Sequence, residues 1–364
     1  MIWQKKPTAQ TDRSLVVVIW VLVAFGLVML ASASSVVAYN QYQDGNYFIK
    51  HQLLNYLIGL VVFWLLSRLD YQYLKRIGLF LLISSVVLLL LVFVPGLAKG
   101  GRAMSWINIF GFSLQPSELV KFCFLVYISA LFANAESAAA KTVPFLMSFA
   151  VIALLMLMQP DLGTLIIITI TALSVYYIAG GSLKVIGGIL LGGALCLSVL
   201  LAIKPYQQDR FHCFFNPAFS PGDKCYQLNQ SLIAVGSGGL IGRGLGESRQ
   251  KFLYLPEVQN DFIFGIIAEE VGFVFCLVMI LLYGFIFLKG YKIAYRVGDD
   301  FGRNLSFGIV VWLMAQAIVN IGGVINFMPM TGVPLPLVSY GGSAVLANMA
   351  ALGVLVNISK QISR

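Results

Sequence analysis

Residues 261–288 read DFIFGIIAEEVGFVFCLVMILLYGFIFL, and this stretch decides the fold. Apart from Asp261, Glu269 and Glu270 it carries no charge. Its apolar length matches the roughly 20 residues that take an α-helix across a hydrocarbon core. The preceding KFLYLPEVQN at 251–260 is polar and contains Pro256, so the helix begins where a connection reaches the bilayer. Carboxylates at such a boundary need a reason. An ionisable group facing hydrocarbon costs about 2.5 kcal/mol or more, so those that persist usually face a cavity, a partner or a substrate. Asp261 is therefore the first candidate for chemistry. The dipole of the helix N-terminus also favours an anion there, and the residues alone leave capping and catalysis equally open.

The rest of the chain repeats the pattern. Of 364 residues 59% are hydrophobic and 11% charged, and the mean hydropathy is +0.88, outside the range of an ordinary soluble domain. Bilayer-length apolar runs occur at Ser14–Ala38, Leu53–Leu69, Ile77–Leu97, Leu119–Ala133, Val143–Met158, Thr164–Gly180, Val185–Ile203, Phe262–Leu288, Leu305–Phe327 and Ser343–Ile358. They predict an all-α, polytopic membrane protein with ten transmembrane helices. The alternation of a β-barrel strand is absent, which leaves helices to satisfy backbone groups in lipid. With no internal repeat, heptad array or low-complexity tract, residues 1–364 read as one integral membrane domain.

Charge placement orients the chain. Lys5, Lys6 and Arg13 precede the first run. With that end inside, the other inner connections hold Arg68, Lys75, Arg76, Lys141, Lys184, Lys289, Lys292, Arg296 and Arg303, and the tail holds Lys360 and Arg364. Cytoplasmic loops are the Lys/Arg-rich ones, so both termini are expected in the cytoplasm. The net charge of +9 then reflects membrane anchoring, and nucleic-acid binding is excluded. The first run is too long for a secretory signal and lacks a small-residue cleavage site, which predicts an uncleaved signal anchor.

Lys204–Asn260 is a polar interruption between the seventh and eighth runs, on the outer side. Long connections in compact proteins are usually functional. Ala98–Ser117, the QPDLG of Gln159–Gly163 and the MPMTGVPLPLVSYGGS of Met328–Ser343 gather the remaining unusual residues on the same face. The prolines and glycines at Pro329, Gly332, Pro334 and Pro336 read as a re-entrant or broken helix. Of the five cysteines, Cys123, Cys196 and Cys276 fall in apolar runs as small buried thiols. Cys213 and Cys225 share the long outer connection, where an oxidising exterior would allow a disulfide; bridged and free forms are equally open. His51 and His212 form no zinc-binding pattern.

On or near that face lie Arg102, Lys121, Arg210, Arg243, Arg249 and Lys251, beside Glu118, Asp161, Glu257 and Asp261, with Gln115, Gln227, Gln230 and Ser231 among them. Cations beside an isolated carboxylate suit transfer from a phosphate-activated donor. The carboxylate removes a proton from an incoming hydroxyl, and Arg or Lys stabilises charge on the departing pyrophosphate. The glycines of VGSGGLIGRGLG at 235–246 would let backbone amides approach phosphate, although the Lys and Ser/Thr of a Walker loop are missing.

WINIFGFSLQPSELVK (106–121), QPDLGT (159–164), YQLNQSLIAVGSGGLIGRGLG (226–246), QKFLYLPEVQNDFIFGIIAEEVGF (250–273) and TGVPLPLVSYGGS (331–343) together resemble the SEDS family of membrane glycosyltransferases, which includes FtsW, RodA and SpoVE. The resemblance covers essentially the whole chain, and GLGESRQKFLYLPE is nearer to the division member, FtsW, than to the elongation member, RodA. It implies polymerisation of lipid II into peptidoglycan strands at the outer face of the bacterial cytoplasmic membrane.

The resemblance maps the family's essential acid onto Asp261, as the base that deprotonates the acceptor sugar hydroxyl in an inverting displacement. Glu257 would orient that base or help hold a divalent cation, Mg or Mn, at the pyrophosphate. Arg102 and Lys121 are assigned to the donor pyrophosphate, with Arg210 and Lys251 as further candidates. Gln115, Ser117, Glu118, Asp161, Gln230, Ser231 and Ser339 would line the substrate groove. Implied partners are lipid II, a class B penicillin-binding protein as transpeptidase, other divisome or elongasome proteins and membrane lipids. The chain departs from the family pattern in its paired loop cysteines and at GGRAMSW, where more basic residues often precede the Trp.

Each assignment has a plainer rival. Glu118 and Lys121, three apart, would neutralise one another. Asp161 at a helix start would cap orphan amides. Glu269 and Glu270, two turns inside a helix, are expected to make contacts between helices instead of chemistry. At the level of the whole protein the rivals are an elongation-type polymerase, a transporter of lipid-linked sugar and a non-catalytic scaffold.

Overall fold

The structure, a computed structural model, describes residues 12–94, 105–109, 112–133, 138–220 and 222–362. Its helices are α1 (Arg13–Tyr42), α2 (Tyr47–Arg68), α3 (Gln72–Leu91), α4 (Pro116–Ala133), α5 (Thr142–Met158), α6 (Leu162–Ile178), α7 (Leu183–Ile203), α8 (Pro205–Phe215), α9 (Tyr226–Gly238), α10 (Ile263–Arg296), α11 (Asp300–Val324) and α12 (Gly342–Ser359). Eight are long and apolar enough to cross a membrane, and the shorter apolar α5 and α6 complete the ten expected. The chain is a multi-pass membrane protein.

The segment 204–260 differs from its reading as a loop, since it contains α8 and α9. Pro205 sits at the first turn of α8, where its missing N–H costs nothing. In α9, Leu228, Ser231 and Ala234 recur every third residue and bury one face. Among the described residues the only strands form a hairpin, Ile107–Ile109 against Phe112–Leu114.

The centre of the bundle is α12, α11 and α4, whose spanning windows are 89%, 72% and 67% buried, whereas none of α7 is. Lipid supplies no hydrophobic drive between helices, so close approach of small residues decides who packs on whom. A Cβ on Gly353 of α12 would sit 2.7 Å from the Phe63 carbonyl oxygen of α2, and one on Gly290 of α10 would sit 2.1 Å from Val310 of α11. Asp12 bonds Lys289 at 2.9 Å, Gln72 bonds Asp299 at 3.1 Å and Lys360 bonds the Ser67 carbonyl at 2.9 Å. Both described termini therefore lie at one end of the bundle, with α8 and α9 at the other.

Residues 328–341 are not helical and plunge into the bundle. Tyr56 donates to the Leu337 carbonyl at 2.6 Å; it lies about 18 Å along α2 from Arg68 at the helical rise. The Pro-rich segment thus goes deeper than a surface reading, as a re-entrant strand of chain. Irregular backbone survives at such depth only where protein satisfies it. Arg210, Asn320, Gln316, Tyr283 and Gln52 donate to the carbonyls of Met330, Val333, Pro334, Pro336 and Ser339 at 3.1, 2.8, 2.8, 2.5 and 3.0 Å. Gln52, Tyr56, Tyr283, Gln316 and Asn320, polar residues in apolar helices, all serve this one segment.

The glycines of 235–246 hold backbone, not phosphate. α10 breaks at Gly272, φ 77°, and the chain after α9 takes over the interrupted ladder. Phe273 and Val274 donate to the carbonyls of Gly239 and Leu240 at 2.9 and 3.1 Å. In return Arg243 and Gly244 donate to those of Glu269 and Glu270, both at 3.0 Å. Such closeness leaves no room for side chains: a Cβ on Gly238 would lie 1.9 Å from the Ala268 oxygen and one on Gly242, φ +80°, 2.2 Å from the Glu270 oxygen. Gly242→Ala is expected to destabilise the protein by about 3 kcal/mol or more, from left-handed strain plus overpacking. Its melting temperature in detergent should fall sharply below that of Gly236→Ala, where no atom is near the added Cβ and φ is not positive.

Candidate active site

Asp261 sits half-buried in the connection leading into α10. Three bonds hold its backbone. Asn320 of α11 donates to the Asp261 carbonyl at 2.8 Å, Ser339 to that of Asn260 at 2.6 Å, and the Tyr340 amide to that of Gln259 at 2.9 Å. The re-entrant segment and the α10 approach are thereby locked together. Their junction is a small cleft lined by Asp261, Asn320, Met330, Thr331 and Gly332.

Gly332 explains the cleft's shape. A Cβ there would lie 3.3 Å from Asp261 Oδ2 and 3.9 Å from Arg210 Nη2, at φ +72°. Glycine at 332 thus leaves open the gap across which a carboxylate faces a guanidinium. Arg210 is fixed by bonds to the Met330 carbonyl at 3.1 Å and the Tyr206 hydroxyl at 2.6 Å. Burial, and then the like charge of Glu257, push the Asp261 carboxyl up to about 7; Arg210 opposes them, while Asp161 and Glu118 add to the rise. A carboxyl poised there can take a proton near neutrality.

Gln115, Ser117 and Asp161 also come together. Ser117 donates to Asp161 Oδ2 at 2.7 Å, Gln115 to the same oxygen at 3.4 Å, and the Thr164 amide to Oδ1 at 3.2 Å. Asp161 both caps α6 and ties it to α4. Below lies the buried pair Glu118 and Lys121, 2.8 Å apart. Lys121 also donates to Gln316 at 2.7 Å and stands 5.2 Å from the Trp312 ring centre. Glu257 accepts from Asn260 at 2.6 Å and from Gln259 at 3.4 Å, in a left-handed turn at φ 52°.

Other expected site residues lie elsewhere. Lys251 is buried against Glu270 at 3.1 Å and donates to the Gly246 carbonyl at 2.5 Å, so its charge is already matched. Glu270 also accepts from Ser32 at 2.7 Å, and Glu269 from Ser248 at 2.5 Å and the Arg249 amide at 3.0 Å. These two acids brace helices and loop, as their depth in the run suggested. Ser231 is fully buried and donates to the Val324 carbonyl at 2.9 Å, fixing α9 to α11 instead of lining a groove. Ser339 likewise acts through its bond to Asn260. Gln230 is half-buried on α9. Arg102 lies outside the described residues. Cys213 and Cys225 are bridged, their Cα atoms 5.3 Å apart.

Asn320, Thr331 and Tyr206 were not singled out in the sequence. The signal for Asn320 was an amide inside an apolar run; its Oδ1 and Thr331 Oγ1 are buried without a partner among the described residues. No cluster of three potential metal ligands occurs among the described residues. Glu257 offers a carboxylate for an Mg²⁺ of the kind that takes its other ligands from phosphate and water.

A family model for cell cycle proteins, the FtsW/RodA/SpoVE family, matches residues 13–364. The probable peptidoglycan glycosyltransferase FtsW of Trichlorobacter lovleyi is 36% identical over 358 residues, covering 96% of this chain and 93% of its own. Stage V sporulation protein E of Bacillus subtilis is 36% identical, over 96% and 97% of the two chains. Among solved structures, the rod shape determining protein RodA of Thermus thermophilus superposes with a TM-score of 0.72 at 25% identity, over 97% and 98%. A chain of a peptidoglycan synthase complex in which polymerization and crosslinking are coordinated gives 0.78 at 25% identity, over 96% and 97%. With the family model spanning nearly its whole length and relatives this similar end to end, the chain belongs to the FtsW/RodA/SpoVE family.

Proposed function

We propose that this protein, a peptidoglycan glycosyltransferase, polymerises lipid II with Asp261 as the general base. The observation that carries the reading is the Asp261 carboxyl, pushed up to about 7 and facing Arg210 across Gly332. The carboxylate takes the proton of the acceptor sugar's hydroxyl. The freed oxygen pair attacks the anomeric carbon of the donor, and the bond from that carbon to the lipid pyrophosphate breaks with inversion. Charge growing on the pyrophosphate is met by Arg210, with Arg102 and Lys121 as further cations. Asp161, Ser117 and Gln115 offer hydroxyl and amide groups to the sugars. Glu257 would help hold a divalent cation, which would supply positive charge at the pyrophosphate.

The cleft lies beside Arg210 of α8, and Lys/Arg-rich connections at the opposite end support the outer face of the bacterial cytoplasmic membrane as the place of reaction. Division-type relatives support a role in cell division, and the likeness to a synthase complex supports a class B penicillin-binding protein as partner. Purified protein given fluorescent lipid II should form glycan strands, with kcat/KM rising as pH goes up through about 7. Movement of lipid II between leaflets without polymer would instead favour the transporter.

A further inference from the structure

α8 has few anchors for an element that carries an active-site cation. Of its 11 residues only Gln207 and Cys213 are buried. Cys213, one turn beyond Arg210, is joined to Cys225 at the start of α9, and the bridge sits in a small apolar cluster with Leu228, Leu232 and Met330. Among its members only Met330 also packs against the main core. Met330 is also the residue whose carbonyl receives Arg210. The remaining ties are weak: Lys224 and Asp209 form an exposed pair at 2.8 Å, of a kind that contributes little, and Asn326 reaches the Phe214 carbonyl at 3.3 Å.

We propose that the Cys213–Cys225 bridge is a latch that holds α8 across the cleft and keeps Arg210 opposite Asp261, which makes the two cysteines positioning residues for the reaction. The inference rests on the reading of Asp261 as the base. The bridge ends α8 and begins α9, and α9 is fixed to α11 by the Ser231 bond to Val324. The latch therefore ties a little-buried helix to the centre of the bundle through one covalent link. Arg210 opposes the combined push of burial, Glu257, Asp161 and Glu118 on Asp261. When α8 swings away, that opposition weakens and the base needs a higher pH to ionise.

The test compares wild type, oxidised and phosphine-reduced, with Cys213→Ser/Cys225→Ser and Arg210→Gln, all in the full-length detergent-solubilised protein given fluorescent lipid II across pH 5.5 to 8.5. Reduction and the double serine variant should move the rising limb of kcat/KM to higher pH, in the same direction as Arg210→Gln. The loss should be about threefold or more greater at the acid end than above the limb, where only the Arg210 contribution at the leaving pyrophosphate is missing. Reoxidation of reduced wild type should restore the original limb, which covers the case where the serine variant does not fold. An unmoved limb, or an equal loss at every pH, overturns the latch. Absence of polymer in oxidised wild type would count against the glycosyltransferase reading itself.

Discussion

Asp261→Asn is expected to lower strand formation from lipid II by about 100-fold or more, the scale of a lost general base, while making the protein more stable at pH 8. The second half follows from the sign of the shift. The carboxyl rises from 3.8 to about 7 on folding, so between those values the folded state binds more protons than the unfolded one, and stability falls as pH rises through that window. Above about 7 the whole cost of a buried, like-charge-crowded carboxylate is present. The amide removes it. Melting in detergent should therefore show the variant above wild type at pH 8 and close to it at pH 4. A variant that melts lower at both would mean that Asp261 is a structural cap, and full activity would remove it from the chemistry.

Lys121→Met should cost about 3 to 5 kcal/mol, because it strands the Glu118 carboxylate in the bundle. The two side chains are 2% and 1% exposed, and Glu118 Oε2 already lacks a partner among the described residues. Adding Glu118→Gln removes the stranded charge and should recover most of the melting temperature. The double variant then separates structure from chemistry. It is expected to fold, and under the proposed role of Lys121 at the leaving pyrophosphate it polymerises about 100-fold more slowly or worse. Wild-type activity in the folded double variant would reduce the pair to mutual neutralisation.

The spans were legible because hydrocarbon thickness imposes a length that composition alone reveals, as in Phe262–Leu288 and Val185–Ile203. Asp261 was legible because a carboxylate at a span boundary stands out against its neighbours. Lys251 misled for a related reason: it is a cation near that boundary, but its partner Glu270 is 19 residues on and already takes its charge. The glycines at 238 and 242 carried a true signal of close approach. What approached was the α10 backbone, because Gly272 breaks that helix and leaves four backbone groups to be paired.

The sequence by itself determined that this chain crosses a bilayer about ten times, which face gathers its polar chemistry, and which carboxylate heads the list; local length, charge and hydropathy carry all three. Only the tertiary structure decided which side chains satisfy the re-entrant residues 328–341 and that Arg210 faces Asp261 across Gly332. Those facts depend on contacts such as Arg210 to Met330, 120 residues apart, and Tyr56 to Leu337, 281 apart. A buried carbonyl is satisfied by whichever side chain the packing brings to it, and no local pattern names that partner in advance.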